Sequence, residues 1–147
     1  MELITIRIEA ILKDLIQKMA DSAGRNISDV TRDLIDLGIG YKQEAPITLK
    51  GAFGLARSFS KLSFGDEKTR MSFWIEKKQT EKAMNFFQNT KNGSIREAIR
   101  LGFIMFHADS VKITNPFIEI SPFKKFKLMT FNNKKAQQAY KNLRKRV

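Results

Sequence analysis

The sequence predicts an α+β, mainly helical protein in which two strand–helix–helix units share one chain. Three observations predict it: each half opens on a short segment of alternating apolar and polar residues, apolar residues at helical spacing follow, and the second half repeats the order of the first. A lone strand leaves its edges unpaired, so we expect the two strands to pair antiparallel within the chain, over four helices. An internal repeat of this kind usually means two units that bury one another's apolar faces.

The first unit spans residues 1–41. Its strand alternates strictly over Leu3–Glu9, which is typical of a strand with one buried face. Three residues share that face: Ile4, Ile6 and Ile8. An amphipathic helix follows and ends at Gly24, and a second helix begins after Asn26, a good N-cap residue. Two glycines are expected to loosen the end of the second helix: Gly38 and Gly40.

The second unit spans residues 70–108. Its strand carries three apolar residues on one face: Met71, Phe73 and Ile75. A helix, a turn at Thr90–Gly93 and a second helix are expected to follow. The closing helices match directly, since Arg32–Ile39 aligns with Arg96–Phe103, 64 residues later. The strands align best 67 residues apart, so the second copy is expected to be about one helical turn shorter.

Residues 42–69 are interpreted as a linker and residues 109–147 as a basic C-terminal extension. The linker is compatible with either a short helix or a strand packed across both units. After Glu119 the chain has nine bases and no acid, and residues 133–146 are expected to be helical. Basic residues among aromatic ones fit three interpretations: binding to a nucleic-acid phosphate backbone, contact with an anionic membrane surface, or solubility alone.

The composition excludes several classes of protein. With 147 residues, no Cys and one His, the chain has no disulfide scaffold, no thiolate metal site and no cysteine nucleophile. The single His107 argues against zinc-hydrolase and Ser-His-Asp chemistry and is better explained as a helix-end or surface histidine. We therefore expect no catalytic residues, no metal and no cofactor. The sequence shows no leader and no apolar run long enough to span a bilayer, which predicts a soluble, cytoplasmic protein.

The charge points to the class of partner. The chain has 27 Lys or Arg against 15 Asp or Glu, a net charge of +12. A polyanion is therefore the default partner, and an anionic membrane is the less favoured one.

The strand and helix pattern of the first unit, Ile4–Ile8 followed by Gly24–Asp29, resembles the ribbon-helix-helix superfamily of MetJ/Arc/CopG-type DNA-binding proteins. The resemblance covers residues 3–40 and 70–106. The second copy departs from the family pattern at Trp74, where Arg or Thr is usual, and at Gln79, where an apolar residue is usual. Two copies in one polypeptide are similar to the tandem ribbon-helix-helix regulators of archaeal filamentous viruses (AvtR-like). The resemblance implies two ribbon-helix-helix units that form a pseudo-dimer.

The resemblance also implies how the residues would act. A two-stranded β-ribbon of this family enters the DNA major groove, so we expect base readout by the outward strand residues: Leu3, Thr5, Arg7, Arg70, Ser72 and Trp74. A solvated strand face is the alternative explanation. We expect phosphate contacts from the starts of the two second helices and from the extension: Arg25, Asn26, Ser28, Thr90, Lys91, Asn92, Ser94, Lys124, Lys125 and Lys127. Asn26 and Thr90 can equally act as plain helix caps.

The functional expectation is a sequence-specific regulator of transcription, acting as a repressor on double-stranded DNA as a homodimer or higher oligomer. No small-molecule ligand and no membrane partner are expected, and the protein would be DNA-associated in the cytoplasm, that of the host if it is viral. The first alternative is a nucleoprotein structural protein that coats DNA with little sequence preference. An antitoxin is a further alternative, disfavoured by the basic tail, and an enzyme is the least favoured class.

Overall fold

The computed structural model describes residues 1–44, 64–107 and 133–145. The elements in chain order are β1 (Glu2–Glu9), α1 (Ala10–Ala23), α2 (Ile27–Glu44), β2 (Lys68–Ile75), α3 (Lys77–Phe87), α4 (Lys91–Phe106) and α5 (Lys134–Arg144). The α+β, mainly helical class is therefore confirmed. Helix α2 extends three residues into the expected linker, and β2 begins two residues before the expected second unit.

The two strands form one antiparallel ribbon, in which Glu2 lies opposite Ile75 and Glu9 lies opposite Lys68. The expected pairing within one chain is confirmed. Successive side chains of a strand point to opposite faces, and one face of this ribbon packs on the helices. That face carries Ile4, Ile6, Ile8, Met71, Phe73 and Ile75, all of which are buried.

Local sequence explains the boundaries of the helices. Gly24 ends α1 in the left-handed conformation, with a φ of 62°, which glycine adopts without steric cost. Asn26 precedes α2 and its Oδ1 accepts a hydrogen bond of 2.9 Å from the backbone N–H of Asp29. Helix α3 has 11 residues against 14 in α1, so the shorter second copy is confirmed. The turn expected at Thr90–Gly93 ends earlier, because Thr90 is the N-cap of α4 and accepts from the Gly93 N–H at 3.1 Å.

Helices α2 and α4 cross in close contact, and the crossing depends on two glycines. A Cβ on Gly38 would lie 2.1 Å from the carbonyl oxygen of Ala98, and a Cβ on Gly102 would lie 2.0 Å from that of Leu34. The expectation that Gly38 and Gly40 loosen the end of α2 is wrong. Both lie within the helix, and each allows another helix to approach its backbone.

Helix α5 packs against α2 and is part of the core. It buries Ala136, Ala139 and Leu143. A Cβ added to Gly40 would lie 2.2 Å from the Cβ of Ala136. The helix expected over residues 133–146 is confirmed. Within the described ranges, no helix has the length and apolar content needed to cross a membrane.

Candidate nucleic-acid interface

The outward face of the ribbon brings together the six residues that the sequence predicts for base readout. Strand alternation leaves all six exposed: Leu3, Thr5, Arg7, Arg70, Ser72 and Trp74. None of them is acidic. The two large apolar side chains are unusually open to solvent, since Leu3 is 55% exposed and Trp74 is 48% exposed.

The six residues form three cross-strand pairs. Leu3 lies opposite Trp74 at one end, and Arg7 lies opposite Arg70 at the other. Thr5 and Ser72 form the central pair, and their hydroxyl oxygens are 2.7 Å apart. The face therefore runs from an apolar end through a hydroxyl pair to a basic end.

Two arginines that sequence reasoning missed hold the edges of the ribbon. Arg32 on α2 donates from Nη1 to the carbonyl oxygen of Trp74 at 2.8 Å, and Arg96 on α4 donates from Nε to that of Arg7 at 2.7 Å. Burial, followed by the nearby charge of Arg100, lowers the pKa of Arg96. The signal was present in the repeat, since both arginines occupy the same position of the aligned helices.

The start of α2 contains three of the expected phosphate-contacting residues. Asn26 caps the helix and is exposed. The Oγ of Ser28 accepts a hydrogen bond of 3.1 Å from the backbone N–H of Trp74, which joins the helix start to the ribbon. Arg25 is half-buried and pairs with Asp33 at 2.6 Å. Burial nevertheless raises the pKa of Asp33.

The start of α4 contains four more of the residues expected to contact phosphate. Thr90 acts as a cap, Asn92 is exposed, and Lys91 lies 3.0 Å from the carboxylate of Glu2. Ser94 is fully buried. The expectation that Ser94 contacts phosphate is therefore wrong, because a hydroxyl inside the core does not reach the DNA backbone.

The C-terminal extension contributes basic residues on α5 to the described part of the chain. Lys124, Lys125 and Lys127 lie outside the described residues. Helix α5 runs antiparallel to α2, since Asn133 donates to Gln43 near the end of α2, and Asn142 lies beside Asp33 near its start. Its solvent face carries further bases: Lys134, Lys135, Lys141 and Arg144.

Among the residues that the structure describes, the remaining candidates do not form a second site. His107 is the C-cap of α4, with Nδ1 3.0 Å from the carbonyl oxygen of Phe103, as expected for a helix-end histidine. A shallow cavity of about 200 Å³ lies between α1 and α4. Its lining consists of Leu15, Lys18, Met19, Ser22, Phe103 and His107. Across residues 1–44, 64–107 and 133–145, no cluster of side chains is suited to hold a metal ion.

Comparisons with protein-family models, with curated protein sequences and with solved structures gave no match.

Proposed function

We propose that this protein binds double-stranded DNA sequence-specifically, inserts its β-ribbon into the major groove and acts as a repressor of transcription. One observation carries the proposal: the exposed ribbon face has two arginines, two hydroxyls and no acid, in a chain of net charge +12. If the face were simply a solvated strand surface, nothing would require its exposed positions to lack acidic residues. A positive surface attracts the DNA backbone, and the side chains on the ribbon discriminate among bases.

The dimensions of the ribbon fit this role. Alternate side chains on a strand are about 6.6 Å apart, and the major groove is wide enough for a two-stranded ribbon. Arg7 and Arg70 match the paired acceptors of guanine, O6 and N7. Thr5 and Ser72 offer hydroxyls that both donate and accept hydrogen bonds.

Recurring contacts support two ribbon-helix-helix units that form a pseudo-dimer within the chain. The bond from Arg32 to the backbone of Trp74 has its equivalent in the bond from Arg96 to the backbone of Arg7. Helix residues in these bonds are 64 positions apart and strand residues are 67 apart, the same offsets that align the sequences.

The helix crossing repeats in the same way. Gly38 lies against Ala98 and Gly102 lies against Leu34, and each residue of the first contact is 64 positions from its equivalent in the second. The recurrence of these contacts under one pair of offsets supports a local two-fold axis between the two units.

A second candidate function is a nucleoprotein structural role, in which the protein coats DNA with little sequence preference. The basic solvent face of α5 favours it, because exposed lysines contact phosphates of any sequence. Footprinting on a long duplex distinguishes the two: discrete protected sites support the regulator, and continuous protection supports the coat.

Selection of bound duplexes from a random pool, followed by affinity measurements, tests the proposed readout. We expect Arg7→Ala to weaken binding to the selected site by about 1–3 kcal/mol and to change binding to random DNA little. The matched control is Lys134→Ala, which removes one positive charge from α5. It should weaken binding to the selected site and to random DNA by a similar factor. If Arg7→Ala weakens binding to the selected site and to random DNA equally, the ribbon does not determine sequence specificity.

A further inference from the structure

The backbone of the ribbon is two-fold symmetric, whereas its exposed chemistry is not. With strand equivalents 67 residues apart, Thr5 and Ser72 are equivalent and also lie directly opposite each other. The local two-fold axis therefore passes between them. Both carry a hydroxyl, so the centre of the face obeys the symmetry.

The four outer positions break that symmetry. Leu3 is the equivalent of Arg70, and Arg7 is the equivalent of Trp74. The symmetry would place the same chemistry at both ends of the face. Instead the register pairs the two apolar residues at one end and the two arginines at the other.

We propose that the ribbon reads a non-palindromic DNA sequence in one orientation, with guanine at the arginine end and thymine at the Leu3–Trp74 end. This inference rests on the proposed function and specifies its substrate. Arg7 and Arg70 require hydrogen-bond acceptors, which guanine presents most strongly in the major groove. Leu3 and Trp74 are half exposed side by side, and the C5-methyl of thymine is the apolar group that the major groove offers.

A palindromic site conflicts with this face. An inverted repeat presents the same base pattern to both ends of the ribbon. A guanine that accepts hydrogen bonds from Arg7 would then be matched by a second guanine facing Leu3 and Trp74. The O6 and N7 acceptors of that second guanine would have no hydrogen-bond donor. Unpaired polar groups at an interface disfavour that site relative to an asymmetric one.

The test is selection with the full chain from duplexes that carry a random window of about eight base pairs, shorter than the helical turn that separates the half-sites of two heads. We expect a non-palindromic consensus with guanine on one side and thymine on the other. The double substitution Leu3→Arg with Trp74→Arg places arginine at all four outer positions. It should convert the consensus to an inverted repeat with guanine at both ends. Both side chains are about half exposed and neither belongs to the buried face of the ribbon, so the double variant should remain folded, which thermal unfolding followed by circular dichroism checks.

Replacing the selected thymine by uracil removes only the methyl group. We expect this to weaken binding of the wild-type chain about fourfold, the value of one buried methyl or methylene group. The same replacement should have no effect on a variant with Leu3→Ala and Trp74→Ala. A palindromic wild-type consensus, or binding insensitive to uracil, would overturn the orientation while leaving sequence-specific binding intact. No enriched sequence at all would contradict the proposed function as well.

Discussion

Glu9 lies at the end of β1, where strand alternation would place it on the exposed face, yet it is fully buried. Its carboxylate accepts a hydrogen bond of 2.8 Å from Nε of Arg100 on α4, a second from the same guanidinium, and one from Lys68 on β2. Burial by itself would raise the pKa of Glu9. The bonds from Arg100 and Lys68 outweigh it and lower the pKa from 4.5 to about 2. The ion cluster therefore joins the end of one strand to both the partner strand and a helix of the other unit.

The lowered pKa gives stability a defined pH dependence. Because the folded-state pKa of Glu9 is below the unfolded value, its contribution is complete above pH 4.5 and is lost as the pH falls toward 2. We expect Glu9→Gln to lower the free energy of unfolding by about 3 kcal/mol at pH 7, since it leaves a buried arginine without its partner. Urea unfolding of both proteins at several pH values measures this difference, which should shrink below pH 4.5. An equal loss at pH 7 and at pH 3 would show that the charge of Glu9 is not responsible.

Asp36 on α2 aligns with Arg100 on α4, 64 residues later. Its pKa shifts in the opposite direction to that of Glu9. Burial raises its pKa, although Gln79 donates a hydrogen bond of 2.8 Å to its Oδ1 and Lys135 lies nearby. Gln79 is buried and also bonds the backbone N–H of Glu76. The polar residue at position 79, where an apolar one was expected, thus has a physical role: its amide donates to the carboxylate of Asp36 and accepts from the backbone N–H of Glu76, whereas the aligned residue of the first unit is Leu12.

At the scale of elements, the α2–α4 crossing sets the distance between the two units. We expect Gly38→Ala to destabilise the protein by about 3 kcal/mol, the upper range for overpacking, because its Cβ would meet the backbone carbonyl of Ala98, which has no rotamer to change. Gly93→Ala is the control. The atoms nearest to its Cβ would be side-chain atoms of Asn89 and Thr90, at 2.8–2.9 Å. These side chains can shift at the cost of the cap hydrogen bond between Thr90 and the Gly93 N–H, whereas a backbone carbonyl cannot, so the loss of stability should be smaller than for Gly38→Ala. Chemical denaturation of the two variants makes the comparison, and equal losses would mean that the crossing is not tightly packed.

Helix α5 changes how the basic extension must be tested. Truncation would remove buried Leu143 together with the lysines, so any loss of binding would be confounded with unfolding. Substituting Lys134 and Lys141, which are both exposed, removes charge alone. If each contacts a phosphate, the slope of log affinity against log salt should flatten by about two.

The control for this salt dependence replaces two exposed lysines of α3, Lys78 and Lys82, with the same loss of charge. An unchanged slope in the α5 variant, at unchanged stability, would place α5 away from the DNA. The expected phosphate contacts of Lys124, Lys125 and Lys127 stay predictions.

Across the whole molecule, the features that could be predicted from sequence are those encoded by neighbouring residues. Alternation located both strands and their buried faces, and the chemistry of Gly24 and Asn26 located helix boundaries. The features that were missed depend on segments far apart in the chain. The burial of Glu9 needs Arg100, and the role of Gly38 needs Ala98. Local patterns contain no information about such partners, because these contacts exist only after the two units pack.

The same long-range contacts predict which units pair. If two copies of the first unit paired with each other, Glu9 of one copy would face Asp36 of the other instead of Arg100, and Leu12 would replace the bridging Gln79. Two carboxylates would then be buried together without a donor, which is strongly unfavourable. The first unit should therefore select the second unit and reject itself.

Cleavage of the chain tests this selection. A protease site placed within residues 45–63 would separate the first unit from the remainder of the chain. After cleavage under native conditions, we expect the two pieces to elute together from a sizing column and to keep the circular dichroism of the intact protein, because the ribbon and the α2–α4 crossing hold them. The purified first unit should remain unfolded alone, and addition of the second piece should restore structure. Asp36→Arg in the isolated first unit should favour self-pairing, since Glu9 would regain a guanidinium partner. A wild-type first unit that folds by itself as a stable dimer would show that these charges do not govern pairing.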